Sequence, residues 1–120
     1  MQQGKKIFIF DDNQELLDLC TIILEDIGYQ IKTSATSNNV VEQVTEYKPD
    51  IIFMDNWLPD ITGVDATKQL KANTDLNRIP VIYFSANNNI SELAKEAGAD
   101  DFLARPFDIT ALEEMVLKYS

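Results

Sequence analysis

A chain of 120 residues with 45% hydrophobic composition fits one domain with its own core, so neither disorder nor disulfide stapling is called for. The formal net charge of −10 argues against nucleic acid as a direct partner, because phosphate backbones are met mostly by Lys and Arg. The chain has no histidine, which excludes imidazole acid–base chemistry and imidazole metal ligation.

The first apolar run, Lys5-Lys6-Ile7-Phe8-Ile9-Phe10, reads as a strand that ends in Asp11-Asp12. It is too short for a signal-peptide core or a membrane span, so a reducing, cytoplasmic setting is expected. Asn13, with Gln14 and Glu15, opens a helix whose apolar face is Leu16, Cys20, Ile23, Leu24 and Ile27. Cys20, the lone cysteine, reads there as a core thiol. Gly28 stands where a helix end wants positive φ. The segment Tyr29–Ser34 alternates instead of running apolar, which places it at the edge of a sheet. Asn39 with Glu42 suggests the next helix start, and Val40, Val41, Val44 and Tyr47 give it a buried stripe before Pro49 stops it.

Four consecutive apolar residues, Ile51 to Met54, then end abruptly in Asp55. Such a run is a strand covered on both faces, and an acid at its C-terminal exit belongs to a site more often than to a bare surface. Behind it, Leu58-Pro59-Asp60 and Thr62-Gly63 carry turn chemistry, and Thr62 with Asp65 has capping-pair spacing. The helix they open, from about Gly63 to Asn73, has a thin apolar face of Val64, Ala66 and Leu70. Ile79–Phe84 is a further strand, exiting in Ser85-Ala86 before the polar Asn87-Asn88-Asn89 loop. Ile90, Leu93, Ala94 and Ala97 make a short helix closed by Gly98. The last strand, Asp101–Ala104, exits in Arg105-Pro106-Phe107, and a final helix carries Leu112, Met115, Val116 and Tyr119, with Thr110 and Glu113 at capping-box spacing.

Strand and helix alternate five times, without a repeat, low-complexity tract or linker. That pattern predicts right-handed βα units and a doubly wound parallel sheet, order 2-1-3-4-5, in a flavodoxin-like three-layer sandwich over residues 1–120. All strand C-termini of such a sheet share one edge, so Asp11, Asp12, Asp55, Ser85 and Arg105 should converge.

Carboxylates brought together need a counter-charge. An all-oxygen donor set favours a hard ion, and a partly filled octahedron suits Mg²⁺ better than Ca²⁺. With the Ser85 hydroxyl and the Arg105 guanidinium added, the pocket suits a phosphoryl group, and Asp55 becomes the candidate nucleophile.

From about Lys6 to Tyr119 these residues resemble the receiver domains of two-component response regulators. The motifs that carry the resemblance are Asp11-Asp12-Asn13, Met54-Asp55 with Leu58-Pro59-Asp60 and Thr62-Gly63, Ser85-Ala86, Gly98–Phe102, and Arg105-Pro106-Phe107. The resemblance implies a signalling phosphoacceptor rather than an enzyme, one that promotes its own Mg²⁺- or Mn²⁺-dependent phosphorylation and dephosphorylation. It implies Asp55 as phosphoacceptor, Asp12 as a direct metal ligand, Asp11 as a ligand mostly through water, and the Trp57 carbonyl as another. Ser85 would bind a phosphoryl oxygen, and Phe102 would be the switch aromatic on the face of the fourth helix, fifth strand and fifth helix. It also implies a sensor histidine kinase or phosphotransfer protein as donor and a downstream protein as target. A homodimer through that same face, and a cis Arg105-Pro106 bond, follow from it too.

Two features depart from the family pattern. Arg105 stands where the family normally has Lys, and a planar fork prefers two-point contacts that an ammonium does not make. Ser85 to Phe102 is about two residues shorter than usual. The alternative function is a receiver-like binding module that is not phosphorylated. A flavin carrier on this topology is disfavoured because Asp11-Asp12 would repel the phosphate, and an aspartate-nucleophile phosphatase because its paired-acid spacing is missing. Trp57 is expected to be partly exposed, as a lid or a partner contact. No output domain is expected after Ser120.

Overall fold

The computed structural model describes residues 5–85, 89–105 and 107–119. Its strands are the apolar runs: β1 (Lys6–Phe10), β2 (Gln30–Ser34), β3 (Ile51–Met54), β4 (Val81–Ser85) and β5 (Asp101–Ala104). They alternate with α1 (Gln14–Asp26), α2 (Val40–Tyr47), α3 (Gly63–Ala72), α4 (Ile90–Ala97) and α5 (Ile109–Lys118). Every pairing is parallel and the order is β2-β1-β3-β4-β5, the doubly wound flavodoxin-like arrangement that the sequence predicts.

Burial explains the order. β3 and β4 are buried along their whole length, whereas β2 and β5 at the two edges carry exposed positions. Alternate residues of the inner strands serve opposite faces. Phe8, Phe10, Ile52, Met54, Val81 and Tyr83 pack with Val40, Val44, Val64, Leu70 and Ala94 of α2, α3 and α4. Ile7, Ile9, Ile51, Phe53, Ile82 and Phe84 pack with Leu17, Cys20, Leu24, Leu112 and Val116 of α1 and α5.

The helix starts are partly as the sequence suggests. Asn13 Oδ1 accepts from the Leu16 N–H at 3.2 Å and Thr62 Oγ1 from the Asp65 N–H at 3.2 Å. At α5 the cap is Asp108, whose Oδ1 accepts from the Ala111 N–H at 2.7 Å. The expected Thr110–Glu113 box is not used, because the helix begins at Ile109 and Thr110 already lies inside its first turn. Asn39 adopts left-handed backbone, φ 55°, and makes no side-chain cap bond. β4 begins at Val81 rather than Ile79, with Pro80 contributing its carbonyl to the Ile52 N–H at 2.9 Å from just outside the strand. Pro106, and with it the expected cis bond, lies outside the described residues, as does most of the shortened loop, 86–88.

Gly63 has a packing reason of its own. A Cβ there would lie 2.0 Å from the Asp55 carbonyl oxygen, so the N-terminus of α3 can approach the end of β3 only without a side chain. Gly98 caps α4 at φ 82°, in the left-handed region. Gly63→Ala is therefore expected to cost about 1–3 kcal/mol by forced overpacking, and Gly98→Ala about 1–2 kcal/mol by backbone strain. Urea denaturation of both variants checks the ranking.

Candidate functional site

The parallel crossovers bring the ends of β1, β3, β4 and β5 to one edge. The Asp11 N–H donates to the Ser34 carbonyl at 3.1 Å, and the Asp55 N–H to the Phe10 carbonyl at 3.0 Å, so each acid begins where its strand stops. Asp11 and Asp55 are buried, while Asp12 is exposed. Asp11, Asp12 and Asp55 each offer a carboxylate oxygen, and these oxygens lie within 4.8 Å of one another. Asp11 also accepts from the Asn13 N–H at 2.8 Å, which fixes the turn between β1 and α1.

Arg105 crosses this cluster. The β5 end is held by the Arg105 N–H, which donates to the Ser85 carbonyl at 3.1 Å. From there its Nη2 donates to Asp11 Oδ2 and lies 3.1 Å from Asp55 Oδ1, and it donates to the Phe84 carbonyl at 3.2 Å. The guanidinium carbon sits 4.6 Å from the centroid of the Phe84 ring. A single cation therefore spans two acids that lie 44 positions apart, with an aromatic face beneath it.

Ser85 is buried at the end of β4, in register with Ala104 of β5. Five predicted site residues, Asp11, Asp12, Asp55, Ser85 and Arg105, thus share the predicted edge. Phe102 and Trp57 are placed differently. Phe102 sits in the body of β5 in register with Tyr83 and is 39% exposed, and Trp57, which follows the acidic edge, is 63% exposed. Sequence reasoning did not anticipate the Phe84 platform, whose only sequence signal is an aromatic beside Ser85, nor the closeness of Gly63 to Asp55.

Electrostatics follow from burial. Removing Asp55 from water, with the Asp11 charge beside it, pushes its carboxyl up to about 7, against the opposing pull of Arg105. Burial also raises Asp11, partly offset by the Asn13 N–H and by Arg105. One guanidinium does not balance three carboxylates, and that residual negative charge, made of oxygen donors alone, fits a hard divalent cation.

Fold and site together define a doubly wound α/β domain with an acidic centre at the carboxyl edge of its sheet. The chain belongs to the response regulator receiver domain family, whose sequence pattern matches residues 7–117, and it is a receiver domain of two-component signalling. It is 27% identical over 117 residues to the polar-differentiation response regulator DivK of Brucella anthropi, covering 96% of this chain and 95% of that one. It is 29% identical to the Bacillus subtilis transcriptional regulatory protein PhoP, of which it spans 50%. Among solved structures, a response regulator from Chloroflexus aurantiacus superposes with a TM-score of 0.90 at 26% identity, over 98% of both chains. The receiver domain of a sensor histidine kinase from Pseudomonas aeruginosa, solved with a magnesium ion coordinated in its active-site cleft, gives 0.88 at 28% identity over 97% of both.

The raised Asp55 carboxyl sets a pH dependence for the metal-free protein. Its folded value of about 7 lies above the unfolded value of 3.8, so the folded state holds the proton more tightly. The resulting stabilisation is present at low pH and is lost as pH rises through about 7. Between pH 5 and pH 8 in a chelator, stability should fall by on the order of 2 kcal/mol, and Asp55→Asn should remove most of that slope. Denaturant titrations at both pH values test this.

Proposed function

We propose that this receiver is a phosphorylation switch that accepts a phosphoryl group on Asp55 and signals by protein–protein contact. The observation that carries the reading is the constellation at the sheet edge, three carboxylates within 4.8 Å and a guanidinium reaching two of them. Asp11, Asp12 and Asp55, with the Trp57 carbonyl, are the groups that would hold Mg²⁺ or Mn²⁺. Such an ion, when bound, neutralises phosphoryl oxygens and the negative charge of the cluster.

In the transfer itself, an Asp55 carboxylate oxygen attacks the phosphorus of a phosphohistidine or a small acyl phosphate. The bond to the donor's nitrogen or oxygen breaks, the donor leaves with that electron pair, and Asp55 carries a mixed acyl phosphate. The protein's task is positioning and charge balance. β3 fixes Asp55 at its end, and the Gly63 backbone packs against the Asp55 carbonyl. Arg105 supplies a cation already desolvated on the Phe84 ring, and Ser85 brings its hydroxyl to the same edge. Water later attacks the phosphorus, the bond from phosphorus to the Asp55 carboxyl oxygen breaks, and inorganic phosphate leaves the regenerated carboxylate.

The donor in this reading is a sensor histidine kinase or phosphotransfer protein, and the output is a downstream protein or a second copy meeting the face of α4, β5 and α5. Exposed Phe102 marks that face, and the proposed coupling runs from Ser85 at the end of β4 to Phe102 on the adjacent strand. Among the described residues no helix is long and apolar enough to cross a membrane. One observation favours the binding-module reading: Arg105 already neutralises Asp11 and Asp55 in part, which lessens the site's need for a metal.

Incubation with Mg²⁺ and acetyl phosphate separates the two. The switch predicts one phosphoryl adduct by intact mass, absent from Asp55→Asn, and the module predicts none in either. Arg105→Lys should change the rate of adduct formation or of its decay; identical rates in both proteins would show that the guanidinium has no kinetic role. Millimolar Mg²⁺ should alter Trp57 fluorescence in the wild type but not in Asp12→Ala, and equal responses would contradict the metal assignment.

A further inference from the structure

Tyr83 is a fully buried tyrosine in the middle of β4, on the face that packs against α2, α3 and α4. Its hydroxyl donates to Asn56 Oδ1, a contact across 27 positions in the sequence. Asn56 is itself buried and stands between Asp55 and Trp57. Its backbone carbonyl accepts from the Gly63 N–H at 3.0 Å. The residue joining the proposed acceptor to the proposed carbonyl ligand is thus held twice, by its side chain from β4 and by its backbone from α3.

A phenylalanine would fill almost the same core volume without a polar group to desolvate. A buried hydroxyl and a buried amide are tolerated together because each satisfies the other. Burial, and then the Asp55 charge, push the phenol upward, so Oη remains a donor throughout the neutral range.

We infer that Tyr83 is a positioning residue for the metal end of the site, acting through Asn56 to fix the turn that carries the Asp55 carboxylate and the Trp57 carbonyl. The inference rests on the reading of the site given above. Groups that orient metal ligands from behind set affinity as well as geometry, and their removal commonly weakens binding by about 10–100-fold.

The test uses the full chain, with Mg²⁺ alone titrated against Trp57 fluorescence and thermal unfolding followed in a chelator. Tyr83→Phe should raise the half-saturating Mg²⁺ concentration by about tenfold while keeping the fluorescence end point. It should also lower the melting temperature, because Asn56 loses its partner. Tyr83→Phe combined with Asn56→Leu removes both polar groups, and replacing both is close to neutral for stability. The double variant should therefore recover the melting temperature and still bind Mg²⁺ weakly, and it carries the test if the single variant does not fold. An unchanged half-saturation in Tyr83→Phe, or a double variant that recovers both quantities, would overturn the inference. A wild type that gives no Mg²⁺ response overturns the reading of the site, and this inference with it, whereas a responsive wild type matched by Tyr83→Phe overturns this inference alone.

Discussion

The structure turns on one electrostatic constraint: two buried carboxylates, Asp11 and Asp55, lie at the ends of adjacent strands with a third acid close by, and a single guanidinium reaches both. Brought together by parallel pairing and buried, both hold their protons more tightly, by burial first and, for Asp55, by the Asp11 charge beside it. Arg105 meets only part of that demand. Its guanidinium is oriented by the Phe84 ring below and by the Phe84 carbonyl, which leaves it fewer ways to turn toward solvent. The guanidinium carbon lies over the Phe84 ring while Nη2 faces both acids, whereas a Lys there would bring a compact ammonium on a flexible stem, so the residue type at 105 bears on how rigidly the site is balanced.

That constraint is held in place by the rest of the fold. β1, β3 and β4 are the apolar centre of the sheet, and stacked Phe8 and Phe10, with ring centroids 4.2 Å apart, fill the α2–α4 side of β1 just before Asp11. The loops above the edge are tied to each other. Ser37 Oγ donates to the Ile61 carbonyl at 2.7 Å and accepts from the Ile61 N–H at 3.0 Å, while Thr36 donates to Asp60. The β2–α2 loop therefore braces the β3–α3 loop that follows Asp55. Polar groups buried in this way are costly unless paired, and here backbone and side chain satisfy each other.

Much of this was legible because the signals are local and strong. Apolar runs ending in Asp11, Asp55 and Ser85 mark strands and their exits, and the alternation in 29–34 marks an edge, which β2 occupies. Once the order is known, convergence of the site is a matter of topology. The misses have local causes of another kind. Asp108 and Thr110 are both capping residue types two positions apart, and only the start of the helix decides between them. Asn39 offered a cap by composition but takes left-handed backbone, where its side chain makes no cap bond. The Phe84 platform, the Gly63 contact and the Tyr83–Asn56 bond are long-range, joining residues whose types already had sufficient reasons to be where they are. A tyrosine in a strand reads as core, and its hydroxyl has no sequence signature.

The β5–α5 end of the molecule is bound up with the same strands. Asp101, at the start of β5, accepts from Lys118 Nζ at 2.8 Å and from the Tyr119 hydroxyl at 2.8 Å, both at the end of α5. Those bonds outweigh burial and hold the Asp101 carboxyl below its usual range, which keeps it charged and α5 attached to β5. Asp100 is drawn the other way, accepting from the Val81 N–H at 2.8 Å and from Lys71 of α3. Neighbouring acids thus fasten β5 to α5 on one side and to β4 and α3 on the other. In the proposed switch, a movement begun at Ser85 reaches β5 with α5 already coupled to it, so Phe102 and the last helix respond as one body.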